Sequence, residues 1–253
     1  MDKNHQISVA GGDTDAPLNL DKRLRVVEPH LVPGNSRVLD CGCGRGEYVV
    51  ALRERFNVDA YGVEYLQEKV DDFHEAHPDV DWVVRGDIEQ LGFADDEFDI
   101  ALLNEVLEHV PNELAALGEI RRVLHEDGKL ILYSPNRLFP FESHGVYWRD
   151  TDKIVPPWVP FIPYLPVPLG RTIFRYWARN YWPRSLRRLV EEAGFEVMST
   201  TYLWQTFENI SGAQGFLIRV TRPILRALSV LLEKIPGIRG FGISQVLVAR
   251  KRP

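Results

Sequence analysis

Cysteine is nearly absent: the 253-residue chain has two, Cys41 and Cys43. One residue separates them, too close for an ordinary disulfide loop, and a lone C-x-C pair lacks the four ligands of a structural zinc site. Both read as small buried thiols in a reducing compartment. Long apolar runs are also missing. No stretch offers the roughly 20 apolar residues that span a bilayer, and the N-terminal M-D-K-N-H-Q has no apolar signal core. These absences predict a cytoplasmic protein. A basic balance is lacking too: 30 Lys and Arg stand against 36 Asp and Glu, giving net charge −6 and a pI near 5.7. No global field then draws nucleic acid to the chain. What is present suits one α/β domain with a sizeable core, since 45% of residues are hydrophobic.

The chain is organised around residues 38–48, V-L-D-C-G-C-G-R-G-E-Y. Val38, Leu39 and Asp40 end a buried strand. Gly42, Gly44 and Gly46 follow at alternate positions, and residues 47–56 carry apolar side chains at helical spacing. A turn without Cβ atoms lets a flat ligand lie against bare backbone, and a helix N-terminus adds free N–H groups. In the dinucleotide pattern G-x-G-x-x-G the last glycine packs beside a pyrophosphate. Here Glu47 takes that place, a poor neighbour for an anion. The actual spacing is D-x-G-x-G-x-G, from Asp40 to Gly46, and its acidic lead suits a cationic ligand.

This motif resembles the first motif of class I S-adenosylmethionine (SAM)-dependent methyltransferases. The resemblance implies a Rossmann-like, doubly wound, seven-stranded and mostly parallel sheet. It implies SAM as cofactor, held by Asp40 and the backbone of Gly42, Gly44 and Gly46. Residues 59–64 form a second strand ending on Glu64, which lies 20 residues after Gly44. That is where a nucleoside-binding fold places a carboxylate for ribose hydroxyls. Residues 80–87 form a third strand, and the resemblance puts Asp87 and Ile88 against adenine; the plain alternative for Asp87 is a turn cap. Residues 98–104 form a fourth strand ending on Asn104, a further cofactor candidate.

The remaining elements follow from periodicity. A helix is expected over residues 20–31, another over 65–77, and another over 111–125 with Leu114, Leu117, Ile120, Val123 and Leu124 on one side. Asp127-Gly128 turns that helix into a fifth strand, residues 129–134. A helix over 183–193 and a sixth strand over 195–202 come next, and residues 243–250 form a seventh strand, which in the family returns between the fifth and sixth. Residues 1–17 read as a mobile arm and 18–253 as one domain, with insertions at about 140–180 and 205–240. The first insertion includes residues 154–170, with six prolines and no charge, which excludes helix there. Residues 171–188 mix six arginines with aromatics; a helix with a solvated basic face is the plain reading, RNA or anionic lipid the functional one. In the second insertion, residues 216–235 form a cationic amphipathic helix, with Arg219, Arg222 and Arg226 on one face and Pro223 at its start or kink. Such a helix suits a membrane interface, core packing or a homodimer contact.

The sequence E-V-L-E-H-V begins at the mouth of the fourth strand. Glu105, Glu108 and His109 stand at i, i+3 and i+4, a spacing that shares one helix face. Two carboxylates and an imidazole suit a divalent cation, and His144 follows the fifth strand as a fourth candidate. Many similar methyltransferases keep the E-H pair only to support the helix and cofactor. The set is similar to that of two metal-assisted groups, the O-methyltransferases of ubiquinone biosynthesis and the small-RNA 2′-O-methyltransferases. The expected activity is O-methylation of a hydroxyl on a lipid-like or aromatic small molecule. Catalytic candidates are His144, His109 and Glu105, with Mg, Mn or Zn as the cation held by Glu105, Glu108, His109 and His144. The expected acceptor is amphiphilic and taken from a membrane touched reversibly. The alternatives are an RNA 2′-O-methyltransferase, disfavoured by the acidic pI, and a catalytically silent SAM-binding partner subunit.

Overall fold

The structure is a computed structural model that describes residues 17–156, 158–204 and 216–253. The expected arm lies outside the described residues up to Pro17, as do residues 205–215 of the second insertion. Two compact units divide the chain: residues 22–134, 184–200 and 246–253 make one, and residues 1–21, 135–183 and 201–245 the other.

The first unit carries the sheet. After helix α1 (Pro17–Val27) come β1 (Arg37–Cys41), α2 (Glu47–Phe56), β2 (Asp59–Glu64), α3 (Gln67–Ala76) and β3 (Val83–Arg85). Then follow β4 (Phe98–Asn104), α4 (Glu113–Val123) and β5 (Leu124–Pro135). The short pair β6 (Val146–Trp148) and β7 (Phe174–Tyr176) intervenes, with α5 (Val167–Ile173) before β7. Helix α6 (Pro183–Glu192), β8 (Phe195–Leu203), α7 (Phe216–Lys234) and β9 (Ser244–Lys251) complete the order. The seven-stranded sheet runs β3-β2-β1-β4-β5-β9-β8, so the last strand does insert between its two expected neighbours. β1 pairs parallel with both β2 and β4, and β4 parallel with β5. The strands are apolar almost throughout, because a parallel sheet is covered on both faces; Phe98, Ala101, Leu102 and Leu103 are fully buried.

Three expectations change. Leu114 is 42% exposed, while Ala116, Leu117, Ile120 and Val123 form the buried side of α4. Residues 154–170 are not free of helix: α5 starts at Val167, and Pro168 sits in its first turn, where an N–H has no partner to lose. Residues 174–182 are not a basic helix, since Phe174–Tyr176 pairs antiparallel with Val146–Trp148; Arg171 lies in the last turn of α5. Helix α7 runs through Pro223 without ending.

The second unit has its own small core, made by Val146, Val155, Ile162 and Phe174 with Val159, Leu165 and Tyr176 packed on it. Two neighbouring residues root its segments. Buried Asn136 donates from Nδ2 to the carbonyls of Gly240 (2.8 Å) and Gly242 (2.7 Å), while its Oδ1 accepts from the Leu138 N–H. Arg137 donates to the carbonyls of Pro163 (2.5 Å) and Leu165 (2.6 Å) and lies over the Trp182 ring. One short stretch thus holds the proline-rich segment and the chain entering β9.

Asn136→Ala strips two buried carbonyls and one N–H of their partners. Urea unfolding should show a loss of about 2–4 kcal/mol, with faster amide exchange over residues 238–243.

Candidate functional site

The strand order reverses between β1 and β4, and in a doubly wound sheet the ligand crevice opens at that point. The glycine turn after β1 sits there. Its backbone is nailed to β2, with the Gly42 and Cys43 N–H groups both donating to the Val63 carbonyl at 2.7 and 3.0 Å. At Gly42 (φ 79°) a Cβ would meet the Val106 side chain at 2.5 Å, so this position is closed by the protein itself. At Gly44 (φ 61°) the one atom near an added Cβ, among the described residues, is Glu47 Oε2 at 3.9 Å. The open glycine is therefore the one whose bare backbone a ligand can approach. Gly46 precedes the first turn of α2. Cys41 and Cys43 are buried, and burial followed by the nearby Asp40 carboxylate pushes both thiols up, as expected of inert packing residues.

Glu64 is 6% exposed and tied at both oxygens: Oε2 accepts from the Gly44 N–H at 3.0 Å and Oε1 from the Leu66 N–H at 2.9 Å. Each carboxylate oxygen keeps a second lone pair, so Glu64 is a fixed acceptor that two ribose hydroxyls could still use. Asp87 is exposed and its Oδ1 caps a turn through the Glu89 N–H at 2.9 Å; Ile88 beside it is buried. The open Gly44 and the fixed Glu64 acceptor fit a nucleoside cofactor of SAM type.

Beyond β4 the expected helix face is absent. Glu105 takes a left-handed conformation (φ 56°), and only Leu107–His109 form a single tight helical turn. Glu108 is buried on that turn and His109 exposed. Glu105 instead meets Arg23 of α1, with Nη2 to Oε1 at 2.9 Å and side chains 9% and 8% exposed. Arg23 Nη1 also donates to Asn104 Oδ1 at 2.5 Å, and its guanidinium lies 5.0 Å over the Tyr133 ring. The Tyr133 hydroxyl closes the cluster by donating to the Arg23 carbonyl at 2.7 Å. Burial alone would lower the Arg23 pKa; Glu105, the tyrosines and the hydrogen bond turn the net direction upward. Arg23 was not among the sequence candidates. The signal for it was an arginine on the same helical face as Leu20, Leu24 and Val27, all buried.

The second unit holds His144. Its Nδ1 lies 3.0 Å from Ser143 Oγ, and its backbone N–H donates to Glu142 Oε1 at 3.4 Å. Glu142 is 4% exposed, and Asn180 Nδ2 donates to both of its oxygens at 3.0 and 2.9 Å. Burial raises the Glu142 carboxyl, with Asn180 and His144 opposing. Neither Glu142 nor Asn180 carries a motif in the sequence.

Residues 39–132 match the family described as Methyltransferase domain. Demethylmenaquinone methyltransferase of Lactiplantibacillus plantarum is 25% identical over 200 residues, covering 75% of this chain and 77% of that protein. The bifunctional methionine biosynthesis protein MetXA/MetW of Rhodopirellula baltica is 33% identical over 120 residues, covering 44% of this chain and 18% of its own length. Among solved structures, the [4+2]-cyclase SpnF superposes with a TM-score of 0.60 at 19% identity, covering 98% of this chain and 85% of that one. A SAM-dependent methyltransferase of Methanosarcina mazei gives 0.58 at 15% identity, covering 90% and 97%.

Two outcomes follow. Arg23→Ala leaves Glu105 buried without its counter-charge and should cost about 3–5 kcal/mol in urea unfolding; adding Glu105→Ala should restore a large part of that loss. Glu142 has a raised folded-state pKa, so its contribution is present below the ordinary carboxyl value of about 4.3 and is lost as pH rises through the folded value. The stability difference between Glu142→Gln and wild type should therefore move in favour of the variant from pH ~4 upward.

Proposed function

This chain carries the methyltransferase domain on the class I SAM-dependent methyltransferase fold, and from that premise we propose that it O-methylates an amphiphilic, quinone-like or aromatic hydroxyl compound. The observation that carries the cofactor half is the open backbone at Gly44 coupled to the fixed carboxylate of Glu64. When bound, SAM supplies an electrophilic methyl group on a sulfonium sulfur. Gly44 would meet it with bare backbone, with Val106 packed at Gly42 and Phe73 at Gly46; Glu64 would take the ribose hydroxyls, and Asp40 and Asn104 would face its amino-acid end. Asp87 has an oxygen beyond its turn cap for the adenine amine, and Ile88 would lie against the ring.

The chain's own chemical task is to hold an acceptor hydroxyl in line and take its proton, since the new O–C bond forms as the S–C bond breaks. His144 and His109 are the candidate bases. The Ser143 hydroxyl contact at Nδ1 orients the His144 ring. In the metal-assisted version, a cation held by Glu108 and His109, with Glu105, would lower the hydroxyl pKa; the Arg23 pair already occupies one Glu105 oxygen. The quinone-like class of acceptor is supported by the Lactiplantibacillus plantarum relative, which is named for demethylmenaquinone. The RNA and silent-subunit readings have no observation in their favour here.

Calorimetric titration with SAM and S-adenosylhomocysteine is the direct test, and well-folded protein that binds neither would sink the proposal. Glu64→Ala should weaken SAM binding by about 10- to 100-fold, the equivalent of leaving paired hydroxyls without an acceptor. Labelled methyl groups from SAM should appear in a hydroxylated quinone or phenol. Unchanged turnover under exhaustive chelation would remove the cation alone from this account.

A further inference from the structure

Helix α7 is inside out. Ile224, Leu228 and Leu231 stand at i, i+4 and i+7, one stripe of the helix, and are 66%, 47% and 57% exposed. Leu225 and Val230 are exposed as well, whereas among the described side chains of the helix, residues 223–234, it is Ser229 that is buried, at 6%. A helix that belongs to a water-facing surface turns its leucines inward and its serines out. The short turn that follows, Ile238–Phe241, repeats the pattern with Ile238 and Phe241 at 39% and 45%. Exposed apolar side chains grouped in this way mark an interaction site.

Charge says what covers it. Between residues 216 and 240 the chain carries Arg219, Arg222, Arg226, Lys234 and Arg239 against the single acid Glu233, in a chain whose net charge is −6. Arg226, Lys234 and Arg239 are exposed. Positive charge gathered beside exposed leucines, in a chain negative elsewhere, is complementary to a surface that is anionic at the rim and apolar beneath. Among the described residues no helix is long and apolar enough to cross a membrane, so the match is to a helix lying in the interface.

The same unit offers further groups of that type. Trp158 is 74% exposed. Phe161 is 59% exposed and held in a left-handed conformation (φ 68°), which bulky residues rarely adopt. Asn136 and Arg137, adjacent in sequence, root the 240–242 and 163–165 segments respectively.

We propose that α7 and the turn after it form a docking surface for an anionic lipid bilayer. Leu228, Leu231 and Ile224 would enter the headgroup–acyl boundary, and Arg226, Lys234 and Arg239 would meet lipid phosphates. The proposal rests on the reading of an amphiphilic acceptor and identifies where the chain meets the phase that contains it.

Co-sedimentation of the full chain with vesicles needs neither acceptor nor turnover, so it separates this proposal from the methyl-transfer reading. At about 50 mM salt, where charges are weakly screened, the protein should pellet with equimolar phosphatidylcholine and phosphatidylglycerol. It should stay in solution with phosphatidylcholine alone. Binding should fall as salt rises. Arg226→Ala and Arg239→Ala should each weaken it roughly five-fold, and Leu228→Glu with Leu231→Glu should abolish it. SAM affinity, unchanged in all three variants, certifies their fold. Protein that remains in the supernatant with anionic vesicles overturns the proposal, as does equal binding to neutral ones. A dimer in sedimentation equilibrium that Leu228→Glu and Leu231→Glu dissolve, with no vesicle binding, also overturns it and gives the face to a second copy.

Discussion

The bond from the Gly44 N–H to Glu64 is the constraint on which the site depends. Parallel strands β1 and β2 bring their carboxyl ends to the same edge of the sheet, so the turn leaving one can be tied to the last residue of the other. Val63 accepts two N–H groups of that turn, and Glu64 accepts a third. Three backbone donors are then fixed by β2, and at Gly42 and Gly46 a side chain would run into Val106 and Phe73. The carboxylate is oriented by the protein before any ligand arrives. Preorganisation of this kind keeps the cost of ordering the acceptor out of the binding step.

A second constraint acts at β4. Asn104 and Glu105 leave the strand into a left-handed bend, and Arg23 crosses from α1 to hold both. An ion pair this deep is weak evidence for stability, because desolvating two charges offsets much of their attraction. Its use here is positional: it fixes the exit of β4 beside the closed glycine, where Val106 packs against Gly42. The price of that placement falls on Glu105, whose carboxylate is less available as a ligand or base than its spacing to Glu108 and His109 suggested.

The local parts of this architecture were legible in the sequence because they are written in periodicity and turn chemistry. The strand from Phe98 to Asn104, the glycine turn and the helix opening at Pro183 needed no distant partner to be recognised. What escaped was long-range. Arg23 and Glu105 are 82 positions apart, and Asn180 and Glu142 are 38 apart. Spacing rules cannot pair such residues. Helix α5 was missed for another reason: six prolines read as a ban on helix, whereas the ban applies only beyond the first turn. Likewise the arginines of residues 171–182 hid a three-residue strand, whose pairing with Val146–Trp148 is set by its partner and not by its own composition.

The fold alone does not choose the reaction, and a cyclase shares it at a TM-score of 0.60. The cofactor end is built from strand termini and glycine backbone, features any chain of this architecture can reproduce. The second unit has a separate core, buried Glu142 with its Asn180 partner, and a helix with leucines outward. Glu142 is costly to bury in ionised form, and Ser229 is a poor residue to bury where leucine is available a turn away. Both choices oppose local stability within that unit, and residues that break a packing rule in this way are the ones to read for function.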